Sequence, residues 1–533
     1  MSDVPPMSRR DLLLKGRDVG GLAALTSLVA GASVETSASA AGPVTGDVYR
    51  AIGVRPFINA RGTYTILSGS TMLPEVRAAI DLAARQYVHL DELTDAIGDR
   101  LATLTGAEWG LVTSGCAAAL THATAACVAG GNPDLHVRIP DLRGFAKDEV
   151  VIPKHSRNVY DAALRAVGVR VVEAATLAEF EAALGPRTAM VYLLAGPSAD
   201  RSELSLAAMA PLARRHGVPI LVDAAAEILT IPNIHLQNGA TLVGYSGGKC
   251  LRGPQTAGLL LGRKDLVKAA WVHSAPHHGF ARAMKVGKEE AVGMLAAVEQ
   301  WARRDHEAEA RMWSGWLDEI AARVTQVTGV TTELRQPAGL SNKAPTLRML
   351  WDETAGHSGV AVARELFRRD LPDGTPRISL FPVYDAPEGR TGVAVMPYMM
   401  APGDARVVGD RLHAVLTGRQ ASRPAAPAAP GVDVSGAWDV TIRFAASVET
   451  HVVTLRQHGG ALDGTHQGPF VGREVNGEIA GTEISFRSNY GEEHGDALHY
   501  RFTGSVDGDS MSGALDMGEY LTATWRASRR RKD

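Results

Sequence analysis

A lysine and an aspartate give the sequence its first chemical signal. Lys249 stands behind Ser246-Gly247-Gly248 and ahead of Gly253-Pro254, so tight turns hold its backbone and aim its amine at one place. That presentation suits a lysine that forms a Schiff base. Asp223 ends the apolar run Pro219-Ile220-Leu221-Val222, where a buried strand should emerge at the carboxyl edge of a sheet. A lysine with such a carboxylate predicts pyridoxal phosphate as cofactor. Taken singly, each residue also fits a blander role, as a surface lysine in a Gly-rich loop and an aspartate capping the next helix.

A phosphate site weighs against the bland roles, and the sequence offers one. Thr113-Ser114-Gly115-Cys116-Ala117 turns a short strand into an Ala-rich helix. Exposed N–H groups and the positive end of the helix dipole would cradle a phosphate there, with Ser114, Gly115 and Cys116 as its contacts. His155 follows the predicted strand at residues 149–153 and is placed to stack on a cofactor ring; a solvated loop histidine is the competing reading. Arg157 is a candidate for substrate anions. Arg282, Lys285 and Lys288 crowd three positive charges at a predicted helix start, where they oppose the dipole. A substrate carboxylate or phosphate would account for them, as would a plain solvated helix end.

These residues need a scaffold that delivers them to one edge. Strands predicted at residues 107–112, 149–153, 169–172, 189–194, 219–222, 240–243 and 258–262 alternate with helices at 74–89, 177–184 and 204–216. The alternation predicts an α/β fold with a mostly parallel sheet whose ligands gather at the strands' carboxyl ends. Residues 45–287 would form this large cofactor-binding domain. A long helix over 288–324 should bridge to a smaller α/β domain that ends near 417. Residues 418–432 are Ala/Pro-rich and read as a linker. Beyond them the period changes to two, with short strands at 438–442, 452–455, 483–486, 498–502 and 521–525. That pattern predicts a separate antiparallel barrel or sandwich over 433–533.

Composition sets the class. The 533 residues, 45% hydrophobic, support several domains with large cores. Balanced charge, 55 basic against 58 acidic residues, leaves no basic block in the body of the chain to track a nucleic acid. Cys116, Cys127 and Cys250 show neither a disulfide framework nor metal-ligand spacing, so no metal is expected. The closing Arg529-Arg530-Arg531-Lys532 reads as a solvated tail. At the amino terminus, Ser8-Arg9-Arg10-Asp11-Leu12, a weakly apolar run over 19–34 and Ala38-Ser39-Ala40 match a twin-arginine signal over residues 1–40. Cleavage after Ala40 is expected, with an uncleaved anchor as the alternative. The signal predicts a periplasmic or otherwise exported protein, carried already folded by the twin-arginine machinery with its cofactor in place.

Four motifs taken together carry a resemblance: Ile58-Asn59-Ala60-Arg61-Gly62-Thr63, Val222-Asp223-Ala224-Ala225-Ala226-Glu227, Ser246-Gly247-Gly248-Lys249 with Arg252-Gly253-Pro254-Gln255, and Met284-Lys285-Val286-Gly287-Lys288-Glu289-Glu290. Residues from about 45 to 417 resemble fold-type-I pyridoxal-phosphate enzymes of the group similar to selenocysteine synthase, and more closely its D-glucosaminate-6-phosphate ammonia-lyase branch. The resemblance implies that Lys249 holds the cofactor, that Asp223 pairs with the pyridine nitrogen and that His155 stacks on the ring. Ser114, Gly115, Cys116 and Ser246 would hold the phosphate, with Arg252 as a further phosphate or substrate contact. Arg61, Arg157, Arg282 and Lys285 would face substrate. A homodimer or higher homo-oligomer is implied, in which Arg282 or Lys285 reaches a neighbour's cofactor.

The implied reaction on a small amino substrate, an amino acid or amino sugar acid, is α,β-elimination that releases ammonia and a keto acid. Transamination or racemisation would use the same lysine and aspartate. A noncatalytic exported binding protein that relies on its β domain is the rival of another class, and an intact Lys249 with Asp223 argues against it. Export also disfavours aminoacyl-tRNA as substrate.

Overall fold

Continuous apolar runs become strands that are buried on both faces, as parallel sheets require. The computed structural model describes residues 47–353, 357–418, 428–489 and 499–530; the proposed signal over 1–40 lies outside them. By internal contacts the chain divides into residues 1–56 and 57–533. Of the first unit, residues 47–56 are described, with a single 3-10 turn at Arg50–Ile52.

The second unit begins with the sheet that carries the predicted site. Its strands are β1 (Trp109–Thr113), β2 (Glu149–Pro153), β3 (Arg170–Ala174), β4 (Thr188–Leu194), β5 (Ile220–Asp223), β6 (Leu242–Ser246) and β7 (Gly258–Gly262). They lie side by side in the order β1-β7-β6-β5-β4-β2-β3. The run from β6 to β3 is parallel, and β7 is antiparallel to both its neighbours. Alternate residues feed two cores. Leu193, Val222, Val243 and Leu261 pack on one face, while Tyr192, Leu221, Leu242 and Leu260 pack on the other. Each fully buried Val or Leu contributes about 1.5–3 kcal/mol, so these strands carry much of the sheet's stability.

Helix α1 (Gly115–Ala129) lies against that second face, and nearly all of its residues are buried. A helix that is apolar all round belongs inside. The expected helix over 74–89 is shorter, Pro74–Ala83. Beyond it Tyr87 and Val88 are exposed, so no apolar face remains to sustain a helix there.

The single bridging helix expected over 288–324 is two, α2 (Lys288–Arg303) and α3 (His306–Val324). Asp305 stops the first turn and caps the second helix, accepting the Ala308 N–H at 2.8 Å. Arg304 at the break donates to Glu309 at 2.8 and 2.9 Å and to the Cys250 carbonyl at 3.1 Å. The smaller α/β part holds β8 (Thr331–Arg335), β9 (Thr346–Asp352), β10 (Phe381–Pro382) and β11 (Arg390–Val395) in the order β10-β11-β9-β8. Ile58–Asn59 joins it by pairing in parallel with Ile378–Ser379.

Residues 436–529 form a closed barrel of eight antiparallel strands, β12 (Gly436–Arg443), β13 (Val448–His458), β14 (Ala461–Gln467), β15 (Gly472–Ala480), β16 (Glu483–Asn489), β17 (His499–Asp507), β18 (Ser510–Asp516) and β19 (Thr522–Arg529). Closure leaves no edge to template aggregation. Trp438, Phe486, Phe502 and Trp525 fill the interior, with the two phenylalanine rings stacked at 4.5 Å.

Toward one end the interior turns polar. His451 Nδ1 lies 2.7 Å from His466 Nε2, and His466 Nδ1 lies 2.6 Å from Ser488 Oγ. Burial drives the His466 imidazole down to about 3, with His451 and Arg473 acting in the same direction. His451 is lowered too, by burial and Arg473 against a counterpull from Glu449. A base depressed in the folded state keeps its full stability above its unfolded value near 6.5 and loses it as pH falls from there toward about 3. His466 alone should therefore cost about 1.4 kcal/mol per pH unit across that window. Urea unfolding at pH 7, 6 and 5 checks this, since His466→Phe should flatten the slope. An unchanged slope would refute it.

Candidate active site

Asp223 ends β5 with 3% exposure. It shares a sheet face with Leu221 because side chains alternate along a strand. The register sets Tyr192 opposite Leu221 and Leu194 opposite Asp223, so the Tyr192 ring is the diagonal neighbour of the carboxylate on the same face. Tyr192 donates its phenol to Asp223 Oδ2 at 2.9 Å. On the other oxygen, the Ala225 N–H donates at 3.1 Å and the Cys116 thiol at 3.5 Å. Burial raises the Asp223 carboxyl, while these three donors and the Lys249 ammonium pull it back. The same burial and the neighbouring carboxylate push the Cys116 thiol well up, so it stays protonated.

Cys116 belongs to the turn read as a phosphate cradle. Ser114 is the N-cap of α1 but makes no side-chain cap, which leaves the first N–H groups of a fifteen-residue helix without an intrahelical partner. Gly115 has φ +84°, and a Cβ built there would meet nothing within 4 Å. Open space above unpaired N–H groups is what an anion needs. From behind, Gly258 of β7 presses on the turn; a Cβ on it would fall 2.4 Å from the Gly115 carbonyl carbon.

Lys249 follows β6, which pairs with β5 so that Gly244 faces Asp223. Its turn is tied down by Gly247 N–H to the Ala257 carbonyl at 2.8 Å, Gly253 N–H to the Gly247 carbonyl at 2.9 Å and Ser70 N–H to the Gly248 carbonyl at 2.9 Å. The backbone is thus fixed on both sides of the lysine. Ser246 is half-buried at the end of β6, and Glu227, 4% exposed, is satisfied by His235 at 2.6 Å.

The outer residues divide. His155 is exposed after β2, with its Nδ1 3.2 Å from Ser156 Oγ. Arg61 lies over the Tyr64 and Phe381 rings at 5.1 and 5.2 Å. Arg282 and Lys285 are exposed. Arg157 corrects the expectation of a substrate contact: its guanidinium, 6% exposed, is held by Asp161 at 2.6 Å and by Glu173. Arg252 has φ +55° and turns its guanidinium to the Thr71 carbonyl at 2.9 Å and Thr71 Oγ1 at 3.1 Å. Tyr192 and Asn158, which reach Asp223 directly and through the phenol, are not among the residues expected from the sequence. A phenol inside the aliphatic strand Ala189-Met190-Val191-Tyr192-Leu193-Leu194 was the available signal, because a buried hydroxyl requires a partner.

A buried acid and a pinned lysine at the carboxyl edge of this sheet, beside an uncapped helix, define a pyridoxal-phosphate enzyme of fold type I. Residues 150–279 match the family model described as aminotransferase class-V. Over 304 residues the chain is 31% identical to D-glucosaminate-6-phosphate ammonia lyase of Salmonella typhimurium (strain 14028s / SGSC 2262), covering 55% of this chain and 79% of the relative. It is 34% identical over 336 residues to 5'-C-glycyluridine monooxygenase-decarboxylase of Streptomyces sp, covering 61% of this chain and 82% of that one. L-seryl-tRNA(Sec) selenium transferase of Moorella thermoacetica is 29% identical over 294 residues, 47% of this chain and 57% of its own length. The solved structure of D-glucosaminate-6-phosphate ammonia-lyase superposes with a TM-score of 0.61 at 29% identity, covering 70% of this chain and 98% of that one. The chain belongs to the pyridoxal-phosphate-dependent family that is selenocysteine synthase-like and D-glucosaminate-6-phosphate ammonia-lyase-like.

The residues present fit the family's cofactor: a cradle with room at Gly115 and an acid whose donors oppose the effect of burial. Lys249 would hold the aldehyde carbon, Asp223 the ring nitrogen, and the Ser114–Cys116 turn with Ser246 the phosphate.

Proposed function

We propose that the protein is an exported enzyme that removes ammonia from an amino acid or amino sugar acid by α,β-elimination, leaving a keto acid. The observation that carries this reading is Asp223, a buried carboxylate given three donors beside the strand that leads to Lys249. When bound, the cofactor supplies an electron sink for negative charge at the substrate's α-carbon. Lys249, displaced by the substrate amine, has a free Nζ to take the α-proton. Asp223 keeps the ring nitrogen protonated and so favours that transfer. The β-substituent, a hydroxyl for example, would leave with a proton as water; the released enamine would tautomerise to an imine and take up water to give the keto acid and ammonia.

Ile66, Leu82, Tyr87 and Val88 are large apolar residues left exposed; burial of such residues against a second copy is part of the homo-oligomer proposed here. The paired arginines and the Ala-x-Ala site support export through the twin-arginine machinery to the periplasm. Transamination and racemisation remain the same-scaffold alternatives.

Incubating the cofactor-loaded enzyme with amino acids and unphosphorylated amino sugar acids tests the reaction. Equal release of ammonia and keto acid without oxygen uptake is expected. Oxygen-dependent loss of carbon dioxide, or amino transfer to an acceptor without free ammonia, would overturn elimination. Sedimentation that found an active monomer would sink the oligomer, and a reporter fused to residues 1–40 that stayed in the cytoplasm would sink export.

A further inference from the structure

Asp223 is not alone at the end of its strand; a directed chain of hydrogen bonds reaches it from the loop after β2. Asn158 Oδ1 accepts the Tyr160 N–H at 2.8 Å, and Asn158 Nδ2 donates to the Ser156 carbonyl at 2.7 Å. Those two partners fix which end of the amide is which. Nδ2 also reaches the Tyr192 oxygen at 3.0 Å, and an amide nitrogen can only donate. The phenol's single proton is therefore committed to Asp223 Oδ2, 2.9 Å away. Burial and the adjacent carboxylate push the Tyr192 phenol well above its ordinary value, so that proton stays on the tyrosine.

We propose that Tyr192, oriented by Asn158, is a positioning residue that keeps Asp223 ionised and aimed at the cofactor's ring nitrogen. The inference rests on the cofactor assignment of the proposed function. It goes beyond it by naming what offsets the burial of the acid. A phenol donating to one carboxylate oxygen favours the charged form, and chains of hydrogen bonds strengthen one another in a low-dielectric interior. The chain also ties the acid to the His155 loop. Ser156, whose carbonyl accepts from Asn158, receives the Leu194 N–H on Oγ at 3.2 Å and lies 3.2 Å from His155 Nδ1. One network thus spans the residues assigned to the face and to the nitrogen of the ring.

Tyr192→Phe removes the donor and keeps the packing. In that variant cofactor affinity, measured by absorbance titration of the apoprotein, is expected to fall about tenfold. The pH at which the bound cofactor's absorption band changes should shift by about one unit. Turnover should drop with KM nearly constant. Asn158→Ala, which leaves Tyr192 in place but unoriented, should show the same changes at about a third of the size. It also serves as the test if Tyr192→Phe does not fold. Tyr192→Phe or Asn158→Ala with the wild-type band profile and an affinity within twofold of wild type would overturn the proposal. A wild-type protein that binds no cofactor would instead overturn the assignment beneath it.

Discussion

Lys249→Ala is expected to abolish the borohydride-reducible yellow chromophore and to lower turnover by about 10⁴-fold. The variant would remove both the amine proposed to anchor the cofactor and the base proposed to take the α-proton, and loss of a group with two roles falls at the upper end of the range for general bases. Its folding should be spared. The turn is held by the backbone bonds of Gly247, Gly248 and Gly253, none of which uses the lysine side chain. The decisive measurement is peptide mapping of borohydride-reduced protein, with the added mass on Lys249 in the wild type and nowhere in the variant. An adduct on another lysine would refute the assignment. So would retained turnover.

Asp223→Asn should separate catalysis from stability in opposite directions. Without the carboxylate the ring nitrogen loses its charged partner, and a preorganised interaction of that kind accounts for about 10²–10³ in rate. The apoprotein should nonetheless be no less stable at pH 7. Burial raises the folded carboxyl above its unfolded value of 3.8. Between those values the native chain holds the extra proton, so stability is present at low pH and is lost as pH rises through the folded value. Above it, the ionised group carries a desolvation cost that asparagine lacks, and this offsets the loss when the amide NH₂ meets one of the donors that Tyr192, Ala225 and Cys116 present. Thermal melts of apoprotein at pH 5 and 7 read this directly. A variant that melts well below the wild type at pH 7 would show instead that the carboxylate holds the fold together.

The placement of Asp223 at a strand end and of Lys249 in a pinned turn was legible because the signals are local. An acid at the end of an aliphatic run and a lysine between glycine turns need no knowledge of the sheet. Tyr192 and Asn158 were hidden because their role depends on which strands are neighbours. Only the adjacency of β4 and β5, with its register, brings the phenol to the carboxylate. Arg157 misled for the same reason, since Asp161 and Glu173 become its partners only once the loop and β3 are folded. The break at Arg304 and Asp305 was masked by strong helix formers on both sides. In the barrel, β14, β15 and β18 were missed because segments such as Ala461-Leu462-Asp463-Gly464 have little intrinsic strand preference. Closure of the sheet holds them in place.

The division between buried strands and exposed loops also sets how this enzyme can change over generations. Asp223, Tyr192 and Cys116 are almost wholly buried, where most substitutions cost enough to be purged. Arg282 and Lys285 stand in solvent, where replacements are nearly free. Mutational drift is therefore expected to run through the exposed loops and to stop at the buried strand ends. A lineage built this way would change what it acts on while keeping how it acts. Relatives at 31% and 34% identity that bear different reaction names show how far such a scaffold has travelled.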